Sequence, residues 1–150
     1  MPFSIQRILV PTDFSDEANR AVPVAFALAR LHDARVLLAH VLVIPDPVAL
    51  YAVPAPAMME ELKARAHAEL KDLVPRGQND VPHELHVRRG TAADELCKLA
   101  QEEKVSLIAM ASHGRTGLSR FLLGSITERV VRHAPCSVMV VRRPEPARKT

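Results

Sequence analysis

Five short strand-like runs, four apolar and one polar and alternating, each followed by a stretch of helical periodicity or a turn, constrain this chain more than any other feature. Ile5 to Val10 is the first run, ended by Pro11. Ser15 then reads as a helix N-cap, with Asp16 and Glu17 at the positive end of the helix dipole. Ala18, Ala21, Val22, Ala25, Leu28 and Ala29 follow at helical spacing. Pro23 lies inside that helix and should kink it, because it removes one backbone donor. Arg35 to Val43 is nearly all apolar, as a strand buried on both faces must be. Met59, Leu62, Ala66, Leu70 and Leu73 mark a second, amphipathic helix. Val81 to Arg89 alternates and is polar, which suits an edge strand. Ala93, Leu96, Leu99 and Ala100 mark a third helix, and Val105 to Ala111 another buried strand. Ile126 to His133 is the last helix, Pro135 ends it, and Ser137 to Val141 is the last strand. Strict alternation of this kind implies an α/β fold, a parallel sheet with helices on both faces. Ligands of such sheets bind beyond the carboxyl ends of the strands, where the strand order reverses.

Two connections stand out. Pro45 to Pro56 holds four prolines, so it reads as a long loop rather than a helix or central strand. Gly114, Gly117 and Gly124 punctuate a second loop after the fourth strand. A chain of 150 residues makes one domain and buries enough surface to need no disulfide or metal staple. No apolar run reaches the length of a membrane span, and the first residues lack the apolar stretch of a signal peptide. Cys97 and Cys136 are too few for a zinc cluster and are not spaced as a redox pair. The expected compartment is a reducing cytoplasm. Aromatic residues are 3% of the chain with no Trp, which argues against a base-stacking surface for nucleic acid.

The net charge of +3 is unevenly placed. Residues 1–110 carry a net −3, and the whole excess lies in the last forty residues. Arg115 and Arg120 belong to the glycine-punctuated loop, and Arg142, Arg143, Arg148 and Lys149 to the tail.

Two strand ends carry the chemistry. One is Pro11-Thr12-Asp13-Phe14-Ser15. The other is Ala111-Ser112-His113-Gly114, followed nine residues later by Gly124-Ser125-Ile126-Thr127 at a helix start. Gly124 lets a ligand approach the backbone closely. The amides of that helix start suit a phosphate, and Ser125 and Thr127 offer hydroxyls. Gly124 as a turn glycine and Ser125 as a cap is the plainer alternative. Neither G-x-x-x-x-G-K-[ST] nor G-x-G-x-x-G occurs, which excludes a Walker-type NTPase and a dinucleotide-binding domain.

Val10-Pro11-Thr12-Asp13-Phe14-Ser15, His40-Val41, Ala111-Ser112-His113-Gly114-Arg115, Leu123-Gly124-Ser125 and Pro135-Cys136-Ser137-Val138 together resemble the universal stress protein family. The resemblance runs from Ile8 to Val141. The family's ATP motif is G-x2-G-x9-G-[ST]; Ala111 stands at its first glycine, and Gly114, Gly124 and Ser125 match. A methyl group there costs little at negative φ and obstructs a positive one. The resemblance implies a five-stranded parallel sheet in the order 3-2-1-4-5, Rossmann-like and akin to adenine nucleotide alpha hydrolases. It implies a domain over residues 3–142, with a basic tail over 143–150. It places Asp13 and Val41 at the adenosine end and Gly114, Arg115, Gly124, Ser125 and Thr127 at the phosphates. Pro11, Thr12, Met110, Ala111 and Ile126 complete the expected site. The expected ligand is ATP, with or without magnesium, and no structural metal. In similar proteins the last strand, here Ser137 to Val141, pairs antiparallel with a second copy, so a homodimer is expected.

Other residues carry plainer readings. Asp13 is alternatively an N-cap. His113 has no Ser, Cys or Asp at triad-like positions and reads as structural, as does His40 at a strand end. The seven histidines show no metal-binding spacing. Cys97 reads as an inert thiol, and the basic tail as a solubilising end rather than a nucleic-acid arm. Three functions remain open: a nucleotide-sensing stress or regulatory protein with at most slow ATP hydrolysis, an interaction module whose Ala111 marks lost binding, and an enzyme acting on an adenylated or phosphorylated small molecule.

Overall fold

The computed structural model describes residues 2–43, 55–113 and 122–144. Its elements run β1 (Arg7–Pro11), α1 (Asp16–Asn19), α2 (Ala21–His32), β2 (Arg35–Val43), α3 (Pro56–Asp72), β3 (His83–Gly90), α4 (Ala92–Glu102), β4 (Leu107–Ala111), α5 (Ser125–His133) and β5 (Ser137–Val141). The strands form one sheet in the order β3-β2-β1-β4-β5, and every pairing is parallel. The alternating pattern and the expected order are both realised.

The burial explains why the central strands lack polar alternation. Ile8 and Val10 of β1 pack with Val22, Ala25, Phe26 and Ala29 of α2 and Leu70 of α3. Leu9, between them, packs on the other face with Leu96, Leu99 and Ala100 of α4 and Val130 of α5. Successive strand residues thus enter different cores, and both cores are apolar. The polar strand β3 is indeed an edge, and β5 is the other. Arg35 of β2 reaches Glu84 of β3 at 2.7 Å across that polar edge.

Two local expectations are refined. Pro23 does not bend one long helix; the helix is interrupted at Arg20, between α1 and α2. Pro23 is the third residue of α2 and has no N–H for the carbonyl of Asn19, four residues back. Pro56, expected in the loop, opens α3 instead. Proline suits a first helical position, where its missing donor would have had no partner and its φ is already helical. The other three prolines of that connection, Pro45, Pro47 and Pro54, lie outside the described residues, as do residues 145–150 of the tail.

The topology creates a switch point. From β1 the chain crosses to β2 on one side, and from β4 it crosses to β5 on the other. The ladder between β1 and β4 ends at Leu9 and Ile108, whereas β1 stays paired with β2 as far as Pro11 and Ala39. The carboxyl ends of β1 and β4 therefore run on past their shared pairing.

Candidate functional site

A cleft of about 240 Å³ opens at that place. Its lining includes Pro11, Thr12, Asp13, Val41, Met110, Ala111, Gly124, Ser125, Ile126 and Thr127. These are ten of the residues singled out from sequence; the other two, Gly114 and Arg115, lie outside the described residues. Residues not assigned to a site from sequence also line it: Ala18, Ala39, His40, Val43, Ala92, Leu96 and His113.

The β1 wall is a tied turn. The amide of Thr12 donates to Ala39 O at 2.9 Å, which extends the ladder with β2 by one residue. The Thr12 side chain is buried, accepts from Phe14 N at 2.8 Å and donates to Asn19 Oδ1 at 2.6 Å. Phe14 has φ 67°, a left-handed conformation that a bulky side chain seldom adopts. Its ring packs against His40 with centroids 4.3 Å apart, which offsets that backbone strain. The sharp turn presents Asp13 at the cleft. One oxygen of its carboxylate accepts from the amide of Ser15 at 2.9 Å and from the Ser15 hydroxyl. The N-cap of α1 is Ser15, whose hydroxyl accepts from Ala18 N at 3.2 Å. Asp13 is thus a neighbour of the cap and not the cap itself.

His40 stands beside this wall. Its Nδ1 lies 2.8 Å from the carbonyl oxygen of Thr12, and a carbonyl only accepts, so Nδ1 carries the proton. The sequence reading of His40 as structural captured this bond and missed the ring's place along the cleft.

The β4 wall is built from a strand end and a helix start. Gly124 is the N-cap of α5, with φ −60° and ψ 154°. Any residue adopts that backbone, so the glycine matters here for the side chain it lacks. The Gly124 carbonyl accepts from Glu128 N at 2.9 Å, the first bond of the helix. No side chain caps α5, so the amides of its first turn, Ser125 to Thr127, face the cleft end without a capping acceptor. The helix dipole adds partial positive charge there. Thr127 is buried, and its hydroxyl donates to the main-chain oxygen of Ala111 at 3.0 Å. Its one hydroxyl proton is thereby engaged within the protein.

Ala111 is the last residue of β4, buried, and absent from the positive-φ residues of the described chain. Alanine at the first glycine of the motif therefore carries no backbone strain. Electrostatically the described lining has one carboxylate, Asp13, and two imidazoles, His40 and His113. The acid and the α5 N-terminus stand on opposite walls. That arrangement separates an acceptor from a cluster of donors and suits a ligand polar in the same sense.

The remaining chemistry lies elsewhere. Cys97 and Cys136 are free thiols outside the cleft lining. Burial pushes the Cys97 thiol up; Asp94 adds to this and Arg129 opposes it. Burial also raises Cys136, with Cys97 adding and a main-chain bond at Ile108 opposing. Both are held as thiols, the less reactive form. Among the described residues no group of three or more His, Cys, Asp or Glu side chains is placed to hold a metal ion. No helix among them is long and apolar enough to cross a membrane.

Comparison with known proteins agrees with this fold. The model of the universal stress protein family matches residues 4–142. Universal stress protein MJ0531 of Methanocaldococcus jannaschii is 33% identical over 142 residues, covering 93% of this chain and 84% of its own. The solved structure of hypothetical protein MJ0577, whose chain also comes from Methanocaldococcus jannaschii, superposes with a TM-score of 0.79 at 30% identity. That match covers 94% of this chain and 98% of the other. A universal stress protein solved in complex with cAMP superposes with a TM-score of 0.63 at 25% identity, covering 93% and 98%. On its fold and these relatives, the chain belongs to the universal stress protein family.

Proposed function

We propose that this chain binds an adenine nucleotide, ATP in the first instance, in the cleft between β1 and β4, and acts as a stress-response or regulatory sensor. The observation that carries the reading is the polarity of the cleft. Asp13 on one wall accepts from a ribose hydroxyl or the adenine amine, and would repel phosphate. The uncapped N-terminus of α5 on the other wall donates to phosphate oxygens. Val41 and Met110 supply apolar surface for the base, and Gly124 gives the phosphates access to the backbone. The cAMP complex of a relative supports the same ligand class. Ala111 does not count against binding, since its backbone is unstrained. Gly114 and Arg115 belong to the same phosphate end by their match to the family motif. Magnesium, where present, would arrive with the phosphates, as no acidic cluster of the described residues awaits it.

Sensing is favoured over turnover. Asp13 is the one carboxylate of the described lining, and Ser15 already occupies one of its oxygens. No second carboxylate stands beside it among the described residues of the lining. A homodimer through β5 completes the proposal. Val138 to Val141 are half-buried apolar residues on a sheet edge, and a second copy covers such an edge by an isologous contact. The two free thiols favour a reducing cytoplasm as the compartment.

Equilibrium dialysis against ATP tests the reading. A dissociation constant tighter than about 1 mM supports the sensor; weaker binding leaves an interaction module with an empty cleft. Light scattering tests assembly: twice the 16.5 kDa chain mass is expected, and a single mass at micromolar concentration rejects the dimer.

A further inference from the structure

Cys97 and Cys136 are free thiols outside the cleft, and the fold brings them to one place. Helix α4 has two polar flanks. On one, Glu95 and Glu102 meet Arg88 of β3 at 3.4 and 2.7 Å. On the other, Asp94 meets Arg129 of α5 at 3.3 Å. At about 100° per residue, Cys97 lies about 60° from Asp94 and about 200° from Glu95, so it belongs to the α5 flank. Ala93, one turn before it, and Ala100, one turn after, are buried. Cys97 therefore stands where the buried face of α4 meets α5.

Cys136 reaches the same layer from the sheet. It follows α5, which ends at His133, and immediately precedes β5. It packs against the cluster that holds Ala93, Leu96, Leu99 and Ala100 of α4, as does Val138, two residues on and on the same face. The two thiols are close enough that charge on Cys97 raises the Cys136 value. Both are half-buried rather than sealed in the core.

We propose that Cys97 and Cys136 are a latent pair that a hydroperoxide joins as a disulfide, bracing the second wall of the cleft against α4. One sulfur, as thiolate, attacks the peroxide; the O–O bond breaks, an alcohol leaves (water, for hydrogen peroxide) and a sulfenic acid remains. The second sulfur attacks the first, the S–S bond forms and water leaves. Two thiols and one hydroperoxide thus give one disulfide, one alcohol and one water. The protonated resting thiols make the first attack slow, so the pair stays reduced until oxidant is sustained. The loop so closed, residues 97–136, contains β4, Gly124 and α5, which together are the β4 wall. Closing it also restricts the unfolded chain, which favours the folded one. The inference does not depend on which ligand the cleft takes.

Hydrogen peroxide treatment of the full chain, with peptide mass mapping in the absence of reductant, tests the pair. A Cys97 peptide linked to a Cys136 peptide is expected, with the chain still at 16.5 kDa on a denaturing gel. A thiol reductant should reverse the link, and Cys97→Ser and Cys136→Ser should each abolish it. The exposed Met58 serves as the internal control for oxidant. Two free thiols after Met58 has become sulfoxide, sulfinic acid at either cysteine without a link, or links only between chains would each overturn the proposal. A second measurement needs no variant. Oxidised wild-type protein should unfold in urea at a higher midpoint than the reduced protein, and reductant should remove the difference. An equal or lower midpoint in the linked protein overturns the brace.

Discussion

The hydroxyl of Thr127, in the first turn of α5, donates to the main-chain oxygen of Ala111, 3.0 Å away at the end of β4. Both residues are buried, and the bond fixes the helix start to the strand end that together form one wall of the cleft. Thr127→Val keeps the shape and leaves a buried carbonyl unpaired, which costs about 1–3 kcal/mol. Urea denaturation should therefore show a lower midpoint for Thr127→Val and a near-normal one for Thr127→Ser. Equal midpoints for Thr127→Val and wild type would show that the bond contributes nothing.

Asp13 should act at the nucleoside end alone. Asp13→Ala is expected to weaken adenosine and ATP by the same factor, about tenfold. Dialysis with both ligands reads this out. A loss confined to ATP would place Asp13 beside the phosphates, against the polarity proposed for the cleft.

Gly124→Val probes the opposite wall. The backbone at φ −60° and ψ 154° accepts valine, so the variant should fold. The poorer cap costs about 1 kcal/mol of stability. The added side chain occupies the approach to the α5 amides, so ATP affinity should fall much further than adenosine affinity. Unchanged ATP binding in a folded Gly124→Val protein would remove α5 from the site.

The polar edge of the sheet gives a pH prediction. Arg35, 2.7 Å from Glu84, holds that carboxyl below the ordinary glutamate value; burial opposes this and His86 adds to it. A folded-state value below the unfolded one contributes stability above the ordinary glutamate range. That stability is lost as pH falls below the range, through the folded value. Arg35→Ala should raise the Glu84 value and should cost less stability in acid than at neutral pH. An NMR titration of the Glu84 carboxyl that is identical in both proteins would contradict the assignment.

Much of this was readable from the sequence because it depends on pattern. Alternation of apolar runs with helical stretches specified the parallel sheet, and the two-faced burial of Ile8, Leu9 and Val10 shows why those runs lack polar residues. The strand-end motifs brought ten of the candidate residues to one cleft. What escaped depends on geometry that spacing does not encode. Pro56 opens a helix because its missing donor is harmless there, which a count of prolines hides. Phe14 sits at positive φ because Thr12 and His40 hold it, a tertiary cause. His40 and His113 read as structural from a strand-end position and the lack of triad partners; in the structure one nitrogen of each meets a near neighbour, Thr12 O and the Ser112 hydroxyl respectively. Their place along the cleft follows from the strand order, which only the fold makes visible.

A crystal structure grown with ATP tests the central claim most directly. The adenosine should lie against Asp13 and Val41, with phosphate oxygens at the amides of Ser125 to Thr127. An empty cleft at saturating ATP, or a nucleotide bound elsewhere or with its phosphates toward Asp13, would contradict it.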